Sequence, residues 1–332
     1  MYEAFYGLRE RPFELTPNPR FLFLTSTHRE ALGNLRYGLS AARGITLLAG
    51  EAGTGKTTLL RAALALEQRN GVRTVLLDNP TMVRSEFYEF LAAGFRLSEE
   101  AARSKARFLI ELRRDVQERH AAGGVTSLVI DEAQSLPYEL LEEVRLLANI
   151  ETSTAKLLNV VLSGQPELAH RLNEDALRQL KQRVLLRCEL GALDGNETSA
   201  YIAGRLRIAG VSQVERIFTR DAVVAVHRLS RGIPRTISVI CENALLGGFA
   251  QGRKPVDEAI VLEVSRDFDL REQRARADNL IGPAEPDEPR QDAGRQAAFP
   301  DVPAVPRAVA AGDDRPMFAG LAPVRRRRFL FF

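Results

Sequence analysis

One short segment of the chain has the residue types and spacing of a phosphate-binding loop. Residues 50–57 read GEAGTGKT, which satisfies the pattern G-x-x-x-x-G-K-[ST]. In such a loop the glycines let backbone N–H groups point at phosphate oxygens, the lysine reaches the outer phosphates, and the threonine hydroxyl binds Mg²⁺. A chance glycine-rich turn is the alternative. The predicted contacts to the nucleotide and its Mg²⁺ are Gly50, Glu51, Ala52, Gly53, Thr54, Gly55, Lys56, Thr57 and Thr58.

A pair of adjacent carboxylates, Asp131 and Glu132, follows the apolar residues 128–130. A buried parallel strand that ends in acidic residues presents them where a metal ion can be bound. Asp131 is expected to hold the Mg²⁺ coordination shell, and Glu132 is expected to polarise the attacking water. Such a pair on its own is more often a solvated turn. Together with the phosphate-binding loop it favours phosphoryl transfer.

Five short apolar runs are predicted to be the strands that position these residues. They lie at 45–49, 74–77, 127–130, 157–162 and 184–187. Segments with helical spacing of apolar residues separate them, beginning with a helix at 56–70 directly after the loop. Strands that alternate with helices predict an α/β fold with a parallel sheet covered on both faces.

The pattern changes after about residue 190. Only helical segments follow, so residues 191–270 are predicted to form a small all-helical domain beside an α/β domain of residues 1–190. Within 271–332, eight prolines lie too close together for a helix or a sheet to persist. We therefore expect a disordered tail that ends in the basic and aromatic segment 325–332.

Composition and charge exclude several classes of protein. Hydrophobic residues make up 45% and charged residues 27%, as in an ordinary globular protein. Cys188 and Cys241 cannot build a disulfide scaffold or a multi-cysteine zinc site, and the four histidines show no ligand spacing. No run reaches the roughly 18 apolar residues that span a bilayer. These features predict a cytoplasmic protein, and the net charge of +3 does not by itself indicate a polyanionic partner.

Several motifs make the sequence similar to a known family. The order of strand, phosphate loop, Asp-Glu strand and helical domain resembles AAA+ ATPases. The closer resemblance is to the ExeA/GspA type of general secretion pathway ATPase, and it covers about residues 1–270. Members of that type typically continue with a membrane segment and a peptidoglycan-binding part, neither of which is seen in this sequence. The similar segments are YEAFYGL at 2–8, RPF at 11–13, TPNPRFL at 16–22, HREAL at 28–32, LRYG at 35–38, DEAQ at 131–134 and GQPEL at 164–168.

The resemblance implies roles for further polar residues. Ser163 or Gln165 would be the polar sensor beside the γ-phosphate, with an ordinary polar loop as the alternative. Arg183 would be the arginine finger that reaches a neighbouring subunit; Arg178 is its rival, and a surface arginine without a role is the third option. Arg235, in the segment Gly-Ile-Pro-Arg, would be a second sensor that opens a lid helix and points at the nucleotide.

Both ends of the chain carry aromatic residues. Those near the N-terminus are most simply core side chains that anchor this segment, and some of them are expected to flank the adenine as well. The tail has a basic and aromatic end, which is suited to weak contact with an acidic membrane surface, although a short basic end is more often inert. The N-terminal aromatic residues are Tyr2, Phe5, Tyr6, Phe13, Phe21 and Phe23.

The resemblance implies a cytoplasmic ATPase that hydrolyses ATP with Mg²⁺ and thereby drives or gates a conformational change in a partner complex. A homo-oligomer is expected, with a protein partner in secretion or cell-envelope export and a position peripheral to the inner membrane. One alternative is a nucleic-acid-dependent AAA+ regulator of the initiator or transposition type, although 35 basic and 34 acidic residues in 1–270 give no basic face. The other is a nucleotide-stabilised adaptor that hardly hydrolyses, against which Lys56 and Glu132 argue.

Overall fold

The computed structural model describes residues 1–15, 19–41, 44–78 and 80–267. The tail predicted for residues 271–332 lies outside the described residues, as do residues 16–18 of one family motif.

The five predicted strands all form. The fourth is displaced towards the C-terminus relative to the apolar run, so that it includes Ser163. The strand bounds are β1 (Ile45–Gly50), β2 (Arg73–Leu77), β3 (Thr126–Ile130), β4 (Asn159–Gly164) and β5 (Val184–Leu190).

These strands pair in parallel in the order β2-β3-β4-β1-β5. Ala49 of β1 lies beside Gly164 of β4, and Ile130 of β3 lies beside Leu162. Because parallel strands end at the same edge of a sheet, the carboxyl ends of β1, β3 and β4 are neighbours. The predicted functional residues at the ends of these strands are thereby brought together.

Thirteen α-helices surround or follow the sheet in the described part of the chain. Those before β5 are α1 (Tyr2–Tyr6), α2 (Ser26–Ser40), α3 (Lys56–Arg69), α4 (Arg84–Phe95), α5 (Glu99–Arg103), α6 (Lys105–Ala121), α7 (Tyr138–Leu147), α8 (Pro166–Arg171) and α9 (Arg178–Lys181). Those after it are α10 (Gly195–Ile208), α11 (Arg220–Ser230), α12 (Pro234–Ala250) and α13 (Glu258–Asp267).

The sheet is buried on both faces because successive residues of a strand point in opposite directions. In β3, Leu128 and Ile130 belong to an apolar cluster with α4, α6 and α7, whereas Val129 belongs to a second cluster with α2 and α3. Strand β4 alternates in the same way. The continuous apolar runs of the sequence are thus explained by burial on both sides.

The helices after β5 form their own apolar core, and the N-terminal segment packs there. Tyr2, Tyr6 and Phe13 are buried among the side chains of α10 to α13. The ring of Phe13 lies edge-on to Phe218 at 6.2 Å, and the Tyr2 hydroxyl donates to the Glu242 carboxylate at 2.8 Å. The sequence grouped this segment with the sheet, but its aromatic side chains bury their area against the helical part.

Side-chain caps begin two of the helices in this part. The Asp194 side chain accepts from the Glu197 backbone N–H at 2.7 Å, and the Glu197 carboxylate accepts from the Asp194 N–H, which is a capping box. Thr219 caps α11 in the same manner by accepting from the Ala222 N–H. In the described residues, no helix combines the length and apolar character that crossing a bilayer requires.

Candidate nucleotide-binding site

The loop between β1 and α3 adopts a conformation that depends on its glycines. Gly53 has φ of +83° and Gly55 has φ of +100°, which L side chains rarely adopt. The turn leads directly into α3, whose first residue is Lys56. The backbone N–H groups at this helix start have no intrahelical partner, so they are suited to bind an anion.

The Lys56 side chain lies inside the loop rather than in solvent. It is 4% exposed, and its ammonium donates to the backbone oxygens of Gly50 at 2.8 Å and of Glu51 at 3.0 Å. Burial lowers the pKa of Lys56, while the negative charges of Glu132 and Asp131 act in the opposite direction. The ammonium group is therefore held inside the loop by these two backbone oxygens.

Asp131 is the centre of the polar contacts at the carboxyl edge of the sheet. Its Oδ2 accepts from the Thr57 hydroxyl at 2.7 Å, and its Oδ1 accepts from the Ser163 hydroxyl at 2.7 Å. Oδ1 also accepts from the Glu132 backbone N–H at 3.0 Å. The adjacent carboxylate and hydroxyl oxygens are the hard ligands that Mg²⁺ prefers, so these residues fit a magnesium ion.

Glu132 follows in a conformation that is unusual for a non-glycine residue, with φ of +51°. Its side chain faces the cavity above the loop, and its Oε2 accepts from Nε2 of Gln134 at 2.6 Å. The backbone N–H of Gln165 donates to Oε1 of the same Gln134 at 3.0 Å. Of the two sensor candidates, Ser163 contacts the acidic pair directly and Gln165 contacts it through Gln134.

The helical part reaches the loop through the start of α12. The Arg235 backbone N–H donates to the Gly53 carbonyl at 3.2 Å, and the Arg235 side chain lines the cavity. A Cβ at position 53 would lie 2.9 Å from Cβ of Arg235 and 3.0 Å from Cγ2 of Ile233. Glycine at 53 thus permits both the loop conformation and the close approach of the helical part.

Comparison with known proteins relates part of the chain to a domain family and most of it to a secretion protein. Residues 40–172 match the family model described as AAA domain. The chain is also 42% identical over 254 residues to general secretion pathway protein A of Aeromonas hydrophila, which covers 76% of this chain and 46% of that protein. Residues 40–172 of the chain therefore contain an AAA domain. The predicted resemblance to the general secretion pathway type is confirmed, although the chain spans only about half of that relative's length.

Solved structures confirm the fold of the chain. Aeropyrum pernix ORC2, in complexes with ADPNP and ADP, has a TM-score of 0.57 at 16% identity and covers 77% of this chain and 71% of its own. Drosophila ORC bound to DNA has a TM-score of 0.55 at 18% identity, with coverages of 82% and 69%. At these identities the likeness shows the fold alone, which is the predicted parallel P-loop sheet with helices.

The two arginine-finger candidates lie in the segment that leads into β5. Arg183 immediately precedes β5, and its carbonyl accepts from the Ile45 N–H at the start of β1. Since β1 is six residues long, Arg183 lies about 16 Å from the loop along the strand direction. Arg178 begins the short helix α9 before it. Both side chains are exposed.

Above the loop, a cavity of about 470 Å³ lies between the sheet and the helical part. Its lining includes Lys56, Thr57, Thr58 and Glu132, and also residues to which the sequence analysis assigned no role in the site. Those residues are Tyr201, Arg205 and Ser238, together with His28 in an adjoining space of about 70 Å³.

These missed residues belong to helices that are distant in the sequence. His28 of α2 is buried, with Nδ1 at 2.7 Å from the Thr25 hydroxyl and Nε2 at 3.4 Å from the Thr54 carbonyl of the loop. The Arg205 guanidinium lies 5.3 Å from the centre of the Phe21 ring. His28 falls within the family motif HREAL, which was the available signal for it, whereas Arg205 gave none. Of the N-terminal aromatic residues, Phe21 lines both spaces.

Proposed function

We propose that this chain binds ATP with Mg²⁺ in the cavity above the loop and hydrolyses the bond between the β- and γ-phosphates. The observation that carries the proposal is the contact of Asp131 with Thr57 on one side and Ser163 on the other, both at 2.7 Å, beside Lys56 and Glu132. A phosphate-binding loop, a metal-binding carboxylate and a candidate general base thus meet at one edge of the sheet.

The chemistry follows from these groups. Backbone N–H groups of the loop and the Lys56 ammonium bind the phosphates, while Thr57 and Asp131 would hold the metal. Mg²⁺, when bound, neutralises charge on the outer phosphates. Glu132 accepts a proton as an O–H bond of water breaks and the water oxygen bonds the γ-phosphorus. The bond from that phosphorus to the β,γ-bridging oxygen breaks, and its electron pair leaves with ADP.

The helical part is proposed to respond to the nucleotide through Arg235. Because Arg235 contacts the loop at Gly53 and lines the cavity, the outer phosphates can attract its guanidinium when they are bound. Loss of the γ-phosphate removes charge from this contact. In this proposal the helical part, predicted from the sequence as residues 191–270, acts as a lid on the α/β domain that contains the loop.

A homo-oligomer is also part of the proposal. Arg183 lies at the opposite end of the sheet from its own loop, so a transition-state contact from this arginine requires the loop of a second subunit. Arg178 remains the rival. Such an arginine stabilises charge that develops in phosphoryl transfer.

The partner is proposed to be a protein complex of secretion or cell-envelope export, which the similarity to general secretion pathway protein A of Aeromonas hydrophila supports. A cytoplasmic position peripheral to the inner membrane belongs to the same proposal. Regulation by nucleic acid has less support, since the likeness to DNA-bound ORC is a likeness of fold.

Phosphate release from ATP by the full chain tests the hydrolysis. Glu132→Gln keeps the shape of the side chain and removes the base, so turnover should fall by about 100-fold or more while ATP still binds. Glu139→Gln, an exposed carboxylate on α7, is the matched control. Turnover by Glu132→Gln at the parental rate would overturn the assignment. In affinity capture with ATP, Glu132→Gln should retain the partner complex and Lys56→Ala should not.

A further inference from the structure

Gln134 joins the two polar segments that flank the site. Its Nε2 donates to Oε2 of Glu132 at 2.6 Å, and its Oε1 accepts from the Gln165 backbone N–H at 3.0 Å. Both ends of one carboxamide are therefore engaged, one by the candidate general base and the other by the start of α8. A side chain fixed at both ends has little rotational freedom left to lose.

This arrangement depends on a glycine opposite the carboxamide. A Cβ at position 164 would lie 2.7 Å from Oε1 of Gln134, which is closer than a carbon and an oxygen can approach. Gly164 is the last residue of β4, directly after the candidate sensor Ser163. The absence of a side chain at the end of β4 thus leaves room for the carboxamide of Gln134.

The backbone of Gln134 is fixed as well. Nη1 of Arg171 donates to the Gln134 carbonyl at 2.6 Å, and the Arg171 guanidinium lies 4.5 Å from the centre of the Tyr138 ring. The Glu132 backbone, with φ of +51°, directs its side chain towards this carboxamide. The residue that contacts the Glu132 carboxylate is therefore held through its backbone as well as through its side chain.

We propose that Gln134 is a positioning residue for Glu132. The side-chain N–H of Gln134 donates to Oε2 of Glu132, so Oε1 of Glu132 is left to accept the proton of the attacking water. Because Gln134 is also bonded to the segment after Ser163, it keeps the general base and the sensor segment in register. Gln134 can act in this way only if Glu132 is the base of the proposed hydrolysis.

Two variants separate the contact with Glu132 from the contact with Gln165. Gln134→Ala removes both hydrogen bonds. Gln134→Glu keeps the size of the side chain and an oxygen for the Gln165 N–H, but it loses the donor to Glu132 and places a like charge beside it. Gln117→Ala, an exposed glutamine on α6, is the control.

We expect kcat for phosphate release to fall about tenfold or more in both variants of Gln134. The KM for ATP, the affinity for a fluorescent ATP analogue and the melting temperature should stay close to the parental values, because the loop and the core are untouched. In a Glu132→Gln background, adding Gln134→Ala should cause no further loss, since there is no longer a base to position.

Three results would overturn the role of Gln134. Parental kcat in Gln134→Ala would show that the base needs no positioning, and a raised kcat would show that the hydrogen bond restrains it. Loss of kcat in Gln134→Ala with retention in Gln134→Glu would show that only the contact with Gln165 matters. The proposed hydrolysis itself fails by a separate result, namely parental turnover in Glu132→Gln.

Discussion

The Thr57 hydroxyl donates a 2.7 Å hydrogen bond to Oδ2 of Asp131, which joins the first turn of α3 to the end of β3 across 74 positions of the sequence. The two residues meet because the sheet order places β1 one strand away from β3, with β4 between them. Ser163, on β4, completes the bridge by donating to the other oxygen of Asp131. One carboxylate thus connects three elements at the proposed metal site.

Lys56→Ala should reduce phosphate release by about 100-fold or more, because a preorganised donor to the phosphates is lost. Lys181→Ala is a suitable control, since Lys181 is an exposed lysine on α9. Release rates measured under saturating ATP check the expectation. Turnover of Lys56→Ala within about twofold of the parent would contradict the assignment of the loop.

Arg183→Ala should bind nucleotide as the parent does and hydrolyse it about 100-fold or more slowly, since a finger acts mainly in the transition state. Arg178→Ala tests the rival, and Arg187→Ala, an exposed arginine of β5, is the control. Mixing Arg183→Ala with Lys56→Ala should restore part of the activity, because some interfaces then combine an intact loop with an intact finger. No recovery, together with a monomer in gel filtration with ATP, would exclude action between subunits.

Gly232→Ala should destabilise the fold far more than Gly252→Ala. Both glycines have positive φ, at +73° and +64°, so each alanine pays the backbone strain of about 1–2 kcal/mol. At position 232 the Cβ would also lie 2.0 Å from the Leu193 carbonyl oxygen, whereas nothing lies within 4 Å at position 252. Free energies of unfolding from denaturant titration give the comparison. Equal losses in the two variants would mean that the Leu193 contact relaxes freely.

The stability of the protein should fall as the pH drops below the pKa that a histidine has in the unfolded chain. Burial lowers the pKa of His28 from its ordinary 6.5, with the Thr54 carbonyl and Glu197 acting in the opposite direction. The unfolded chain therefore takes up this proton first, so His28 contributes stability that is present above pH 6.5 and is lost as the pH falls through the lowered value.

His28→Asn should flatten that decline, and His120→Asn, which replaces an exposed histidine at the end of α6, should leave it unchanged. Melting temperatures measured at neutral and mildly acidic pH distinguish the variants. An identical decline in the parent and in His28→Asn would show that other groups govern the acid sensitivity.

The sequence by itself located the loop at residues 50–57, the acidic pair and the positions of the strands. Each of these is a local property. Gly53 and Gly55 are needed where the backbone turns with positive φ, and a continuous apolar run is needed where a strand is buried on both faces. The helical segments after residue 190 were equally visible, because their apolar spacing and caps lie within one stretch of chain.

Only the tertiary structure decided which of these segments meet. The displaced end of β4 and the sheet order put Ser163 against Asp131, and close packing at Gly164 allows Gln134 to reach Glu132. The cavity also takes Arg205 from a helix whose sequence carries no nucleotide-binding pattern. Sequence spacing encodes the conformation of neighbouring residues, whereas contacts between distant elements follow from sheet order and from the burial of side chains that no local pattern specifies.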